Sequence, residues 1–328
     1  MHLHAHRREN YHEPGVCRRA GRVVVLRGTT GGLTTAGAPT LDGSRGGTLA
    51  DCHLPQFGAS LAVGRINGNS LGSDSFDELV VGAPFATVLD GNVERYRAGR
   101  FYVFAGSAAG LTTAGAQEWN QGSWGIEGSV EDGDNLGWAL TVADFNGDGF
   151  DDVAAGVPHE WVGGVEHAGA VNVLFGGPSL LSSTGNLLLA HGGAGMSGTS
   201  ERLDYFGSAL APADLDGDGL DDLIIGAYFK SPDLLTRANA HAGVFHFVPG
   251  SDTGLNRAAA RMISRSTPGV PGELAGYGQF AYSLAAGDVD GDGAIDLIVG
   301  SPGEDWSGLS SVGVIQVLHR KLLAGLPP

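Results

Sequence analysis

Three short segments concentrate carboxylates at alternate positions: ADFNGDGFDD from Ala143, ADLDGDGLDD from Ala213 and GDVDGDGAID from Gly287. With the first aspartate as loop position 1, Asp144, Asn146, Asp148 and Asp152 stand at positions 1, 3, 5 and 9. Asp214, Asp216, Asp218 and Asp222 do so in the second segment, and Asp288, Asp290, Asp292 and Asp296 in the third. Oxygen donors with nothing softer beside them suit a hard cation, and a many-oxygen set of flexible geometry favours Ca²⁺ over Mg²⁺. Glycines at positions 4 and 6, such as Gly147 and Gly149, let the backbone fold tightly around an ion. The residue at position 7 (Phe150, Leu220 or Ala294) would offer its carbonyl oxygen, which leaves its side chain free to vary. Charge also favours an ion. Two carboxylates about 4 Å apart repel by roughly 1 kcal/mol in water and about 4 kcal/mol at an effective dielectric of about 20.

Solvated Asp-Gly turns are the plain alternative, but three copies in register with a long repeat weigh against it. An EF-hand also begins D-x-D-x-D-G, yet it needs a glutamate at position 12 and flanking helices. Position 12 here is Ala155, Ile225 or Val299, inside apolar strand-like runs. A fourth loop, from Gly64, departs from the pattern: Arg65 stands at position 1, with Asn67, Asp74 and Glu78 at the others after an insertion. A guanidinium paired with Asp74 or Glu78 would sit where an ion would. The Arg65–Glu78 loop is therefore expected to be empty, leaving three Ca²⁺ sites.

The elements around these loops repeat too. An aromatic-or-Leu/small pair precedes each one: Phe57-Gly58, Leu136-Gly137, Phe206-Gly207 and Phe280-Ala281. The interval is roughly 70–80 residues, the kind of fixed period that marks a repeat architecture. A glycine and an alternating run follow each loop, from Gly99, Gly169, Gly243 and Gly313, with a further copy from Gly21. The heptapeptide GLTTAGA from Gly32 recurs from Gly110. Each period reads as four strands: a small-residue strand after the pair, an apolar run after the acidic loop, an alternating strand and a variable edge strand. The predicted fold class is all-β, a β-propeller of four-stranded antiparallel blades.

These motifs resemble the FG-GAP repeats of the integrin α-subunit N-terminal propeller. The Phe-Gly pairs, the D-x-[DN]-x-D-G-x-x-D loops and the Gly82-Ala83-Pro84 type of strand end carry the resemblance across roughly residues 11–320. It implies blades arranged in a ring, usually of seven, with Ca²⁺ in loops on one face and protein partners on the other. About five blades are expected here, at 11–50 (partial), 51–125, 126–195, 196–265 and 266–328, after a disordered leader at 1–10. The resemblance further implies an extracellular or cell-surface binding or adhesion scaffold without catalytic activity, meeting a protein or glycan ligand on a propeller face or rim. The alternative it carries is an accessory propeller of a secreted hydrolase or carbohydrate-active enzyme.

Composition agrees. The 328 residues carry a formal net charge of −17, which argues against nucleic acid or an anionic membrane as partner. No apolar run is long enough to insert in a membrane. The start, MHLHAHRRENYHEP, lacks the apolar core of a signal peptide, and its histidines read as a non-native leader. Cys17 and Cys52, the only cysteines, read either as a disulfide or as two thiols. Two motif matches are coincidences of context: Gly68-Asn-Ser70-Leu-Gly72 lies in an insertion, and Gly193-Ala-Gly195-Met-Ser-Gly198 precedes no helix. The five tryptophans read as core and rim packing, although loops carrying Trp124, Trp161 and Trp306 leave room for a glycan surface. A polysaccharide lyase would need a basic cleft, and the chain has only Lys230 and Lys321 as lysines.

Overall fold

The computed structural model describes residues 21–34, 40–42, 56–68, 76–193, 196, 198–232, 240–305, 307 and 309–320. Cys17, Cys52, Trp306, Lys321, the histidines of the leader and most of the inserted loop lie outside that set. Short apolar runs separated by Gly-rich turns fold as antiparallel sheets, one per sequence period. A strand pair, β1 (Val23–Val24) with β4 (Thr40–Leu41), encloses the hairpin of β2 (Arg27–Thr29) and β3 (Gly32–Thr34). The first full blade holds β5 (Leu61–Gly64), β6 (Glu78–Ala83), β9 (Arg100–Phe104) and β10 (Gln117–Trp119), with a side hairpin of β7 (Val88–Asp90) and β8 (Val93–Arg95). The second is β11 (Leu140–Ala143), β12 (Asp152–Val157), β13 (Ala170–Phe175) and β14 (Ser182–Leu189). The third is β15 (Ala209–Ala213), β16 (Asp222–Ala227), β17 (Val244–Val248) and β18 (Arg261–Ile263). The last is three-stranded: β19 (Ser283–Gly287), β20 (Asp296–Ser301) and β21 (Val314–Leu318). Within each blade the strands pair in sequence order, and the sheets stand as a β-propeller arrangement.

Burial explains the strand sequences. β6, β12 and β16 are buried at every position, so they read as continuous apolar runs. Cores form between blades rather than inside them. Phe145, Val173 and Phe206 of one interface join the second blade to the third, and Phe245, Phe280, Leu297 and Leu318 join the third to the last. Val80, Val103, Leu136 and Val153 join the first two. The Phe or Leu of each pair is the central plug, with Phe206 and Phe280 fully buried, each contributing about 1.5–3 kcal/mol.

The glycines of the repeat mark backbone contacts between neighbouring blades. Gly169 (φ +81) bridges Phe206, and a Cβ there would lie 2.3 Å from the Phe206 carbonyl oxygen. Gly156, at the end of β12, would place a Cβ 2.0 Å from the Gly207 carbonyl. Gly82 meets the Gly137 carbonyl in the same way, at 2.3 Å. Thus the Phe-Gly pair of one blade docks against the strand-end glycine of the blade before it, and both halves of the motif are needed for one contact.

Candidate metal centres

The acidic loops join the first and second strands of their blades, and three share a hydrogen-bond pattern that differs only in one donor to position 1. At position 1, Asp144 Oδ2 accepts from the Gly149 amide at 2.8 Å, and its Oδ1 accepts from Asp148 at 3.2 Å. Asp214 accepts from the Gly217 and Gly219 amides, and Asp288 from Gly291 and Gly293. Position 3 accepts from the amide of position 5, and position 5 from that of position 7, in all three loops. This folding requires left-handed backbone at positions 4 and 6, where glycine always stands: Gly217 has φ +83 and Gly219 φ +93.

The folded loops converge their carboxylates. One oxygen each from Asp214, Asp216 and Asp218 lie within 4.8 Å of one another, as do those of Asp288, Asp290 and Asp292. In the second blade Asn146 takes the middle place, its Nδ2 donating to Asp148 Oδ2 at 3.1 Å. The carbonyl-bearing residues Phe150, Leu220 and Ala294 are tied by their amides to the position-5 carboxylates. All donors are oxygen, exposed or half-buried, on a tightly folded backbone: the donor chemistry of a hard-cation site.

Position 9 sits apart from these triads in two blades. Asp152 is buried and accepts from the Phe145 amide at 3.1 Å and from Gly176 at 2.9 Å. Asp222 accepts likewise from Leu215 and Gly250. Each thus staples its loop to the end of the third strand. Burial pushes Asp152 up to about 8 and Asp222 up to about 7, against the downward pull of those amide bonds. In the last blade Asp296 Oδ1 lies 3.1 Å from His319 Nδ1, which is also 3.5 Å from Asp290 Oδ2. Arg320 reaches the loop of the preceding blade, donating to the Asp216 carbonyl at 3.2 Å.

In the deviating loop, Arg65 Nε lies 3.5 Å from Asp77 Oδ1, a partner the sequence reading did not name. Asp74 lies outside the described residues. Glu78 accepts amide bonds from Ile66 and Asn67 at 2.9 and 3.3 Å, the stapling role that Asp152 and Asp222 have. Sequence reasoning also missed position 8. Asp151 Oδ2 accepts from the Arg65 amide at 2.7 Å, and the Asp221 carboxyl is bonded by the Asp144 backbone. Each of these carboxylates holds the loop of the previous blade. The Asp-Asp doublets Asp151-Asp152 and Asp221-Asp222 were the available signal.

At the opposite edge of the sheets, side chains flanking the Phe-Gly pairs and following the second strands form an aromatic row. Trp138 meets His159, His159 meets Tyr205, Tyr205 stacks on Tyr228 at 5.4 Å, and Tyr228 meets Tyr282. Trp138 and Tyr282 are exposed along it. The expectation that the tryptophans pack in core and rim fails for Trp124 and Trp161, which are 93% and 52% exposed on loops. Trp119 is half-buried on β10, its Nε1 bonded to Gln117.

The FG-GAP repeat profile matches residues 136–174, 206–244 and 280–318, the spans that run from each pair through an acidic loop into a third strand. The chain carries FG-GAP repeats. Its relatives include integrin alpha pat-2 of Caenorhabditis briggsae, 32% identical over 205 residues, and integrin alpha-PS2 of Drosophila melanogaster, 32% identical over 196. Each match covers 58% of this chain but only 14% and 12% of the relative. Phosphatidylinositol-glycan-specific phospholipase D of Bos taurus is 33% identical over 168 residues, covering 51% of the chain and 18% of that protein. The chain therefore spans less than a fifth of the length of these relatives. In all three matched FG-GAP repeats the acidic loop lies between the strands that the flanking motifs lock to the next blade.

Proposed function

We propose that this FG-GAP chain is a non-catalytic, Ca²⁺-stabilised propeller that serves as an extracellular binding or cell-adhesion scaffold. The observation that carries the reading is a closely similar loop fold repeated three times, which in two copies brings three carboxylates within 4.8 Å of one another. Asp144, Asn146, Asp148 and Phe150, with their counterparts from Asp214 and Asp288, would hold the ion. Asp152, Asp222 and Asp296 fix the loop to its blade and stand close enough in sequence to complete the set. Bound Ca²⁺ would supply the positive charge that offsets the clustered carboxylates. The Arg65 loop offers a guanidinium paired with Asp77 instead and takes no ion.

The partner surface proposed is the aromatic row at the opposite sheet edge, with the exposed Trp161 loop beside it. Aromatic side chains with polar tips suit a protein or glycan ligand. No helix among the described residues is long and apolar enough to cross a membrane. Similarity to the bovine phospholipase D favours a second reading, in which the same propeller accompanies a hydrolase domain. On both readings the chain itself hydrolyses no ester or glycosidic bond, and turnover of such a substrate by the purified chain would overturn that part of the proposal. The scaffold reading is tested by calorimetric titration with Ca²⁺ after chelation. Asp144→Ala, Asp214→Ala and Asp288→Ala should each remove one bound ion, and unchanged ion counts would refute the loop assignment.

A further inference from the structure

A second carboxylate cluster lies at the sheet edge away from the acidic loops, beside the Leu136-Gly137 pair. One oxygen each from Glu131, Asp134 and Glu160 lie within 4.8 Å of one another. Asp134 is fully buried and Glu160 nearly so. Among the described residues, no cationic side chain forms an ion pair with any of the three. Gln121, only 5% exposed, turns its carboxamide into the cluster, Nε2 donating to Glu160 Oε2 at 2.7 Å. Its Oε1 has no hydrogen-bond partner, and neither have Asp134 Oδ1 and Glu131 Oε2. Buried polar oxygens without a donor are costly, and two of these belong to carboxylates of the cluster itself, so the cluster calls for a positive group.

The other FG-GAP blades show how the same place is filled. Counted from each pair, the four positions are Gln121, Glu131, Asp134 and Glu160 in the second blade. They are His191, Glu201, Asp204 and Lys230 in the third, and Arg265, Ala275, Gly278 and Glu304 in the last. In the third blade the Lys230 ammonium, itself buried, bonds Glu201, Asp204 (3.2 Å) and the Thr199 carbonyl. In the last blade the Arg265 guanidinium pairs with Glu304 at 2.9 Å. Even the local folding matches, since Glu131 donates its amide to Asp134 as Glu201 does to Asp204. Two carboxylates meet one lysine, and one carboxylate meets one arginine. Three carboxylates meet no cationic side chain among the described residues.

We infer that Glu131, Asp134 and Glu160, with Gln121 orienting Glu160, form an additional cation site, which takes a hard divalent ion of the Ca²⁺ type where the neighbouring blades use a side-chain cation. The three carboxylates form an all-oxygen set with more negative charge than a monovalent ion would offset. The site is independent of the acidic loops, lying across the blade from them.

The test is the Ca²⁺ stoichiometry of the full chain after chelation and resupply, read by native mass spectrometry and equilibrium dialysis, for the natural sequence and two variants. Glu160→Lys installs the lysine of the third blade, and the variant should bind one Ca²⁺ fewer while melting in chelator at or above the natural protein. Glu160→Gln keeps the shape, and one site should weaken about tenfold or more with the loss of ligand charge. It also decides the matter if the lysine variant fails to fold. Equal ion counts and affinities for the natural protein and Glu160→Gln would overturn the inference and leave the cluster neutralised by protons. Failure of the acidic loops is separable: the natural protein would then hold a single ion, lost in Glu160→Lys.

Discussion

At position 1 of each acidic loop, one aspartate organises two backbone amides and one corner of the carboxylate triad. Asp214→Ala therefore removes a ligand and the loop's internal staple together. With Ca²⁺ at about 100 times its dissociation constant, loss of one site should cost about 2.7 kcal/mol of stability, measurable as a larger drop in melting temperature in Ca²⁺ than the drop in chelator that loss of the staple alone produces. Position 8 offers a different expectation. Asp151→Ala removes the carboxylate that accepts from the Arg65 amide, an exposed bond whose donor water can then satisfy, and should destabilise the chain by about 0.5–1.5 kcal/mol in denaturant unfolding, with or without Ca²⁺. The position-9 aspartates add a pH dependence. Burial raises Asp152 to about 8 and Asp222 to about 7, so without metal their contribution is full below the unfolded carboxyl range and is lost as pH rises toward 7 to 8. Ca²⁺ binding needs the deprotonated form, so the melting-temperature gain from Ca²⁺ should widen between about pH 5 and 8. A gain that stays flat across that range would contradict the assignment. Positions 1, 3 and 5 were legible because they recur within one loop. Position 8 was not, because its partner belongs to another blade and a second aspartate in a doublet reads as one more ligand.

Among the elements, the glycine that ends each second strand is the most exacting position. Gly156→Ala would bring a Cβ to 2.0 Å from the Gly207 carbonyl, backbone against backbone, with no flexible side chain to yield. A destabilisation of about 1–3 kcal/mol or more is expected. Gly287→Ala serves as the control, since nothing lies within 4 Å of its added Cβ, and its unfolding midpoint should barely move. Equal effects of the two would mean that the Phe-Gly and strand-end motifs do not lock blades together. Strand order and the identity of first, second and third strands were readable, because small residues, unbroken apolar runs and alternation mark three different burial environments. The aromatic row was not. Trp138, Tyr205, Tyr228 and Tyr282 come from three successive blades, and only their packing at the opposite sheet edge makes one surface of them. Arg65 shows the same limit at shorter range: a missing aspartate was visible, while the choice of Asp77 as partner depended on how the loop closes.

Across the whole molecule, stability resides in the interfaces between blades. Each hydrophobic cluster draws on two neighbouring sheets, and the acidic loops sit where the first strand of a blade turns into the buried second one. Losing the ions should therefore loosen successive blades together, in a quasi-one-dimensional manner. The repeat and its period made the blade architecture legible from sequence, and the sheets of two, four, four, four and three strands follow that reading. The buried cluster at Glu131, Asp134 and Glu160 stayed hidden because Glu160 is distant in the chain from the other two and the three lack the alternate spacing of a loop. Whether the three acidic loops hold Ca²⁺, and through it the blades, is decided by calorimetric titration after chelation. The natural chain should be compared with one carrying Asp144→Ala, Asp214→Ala and Asp288→Ala together. The triple variant should bind three fewer Ca²⁺ ions and lose the rise in melting temperature that those ions produce. Equal stoichiometry in the two chains, or a natural chain whose melting temperature ignores Ca²⁺, would contradict that role for the loops.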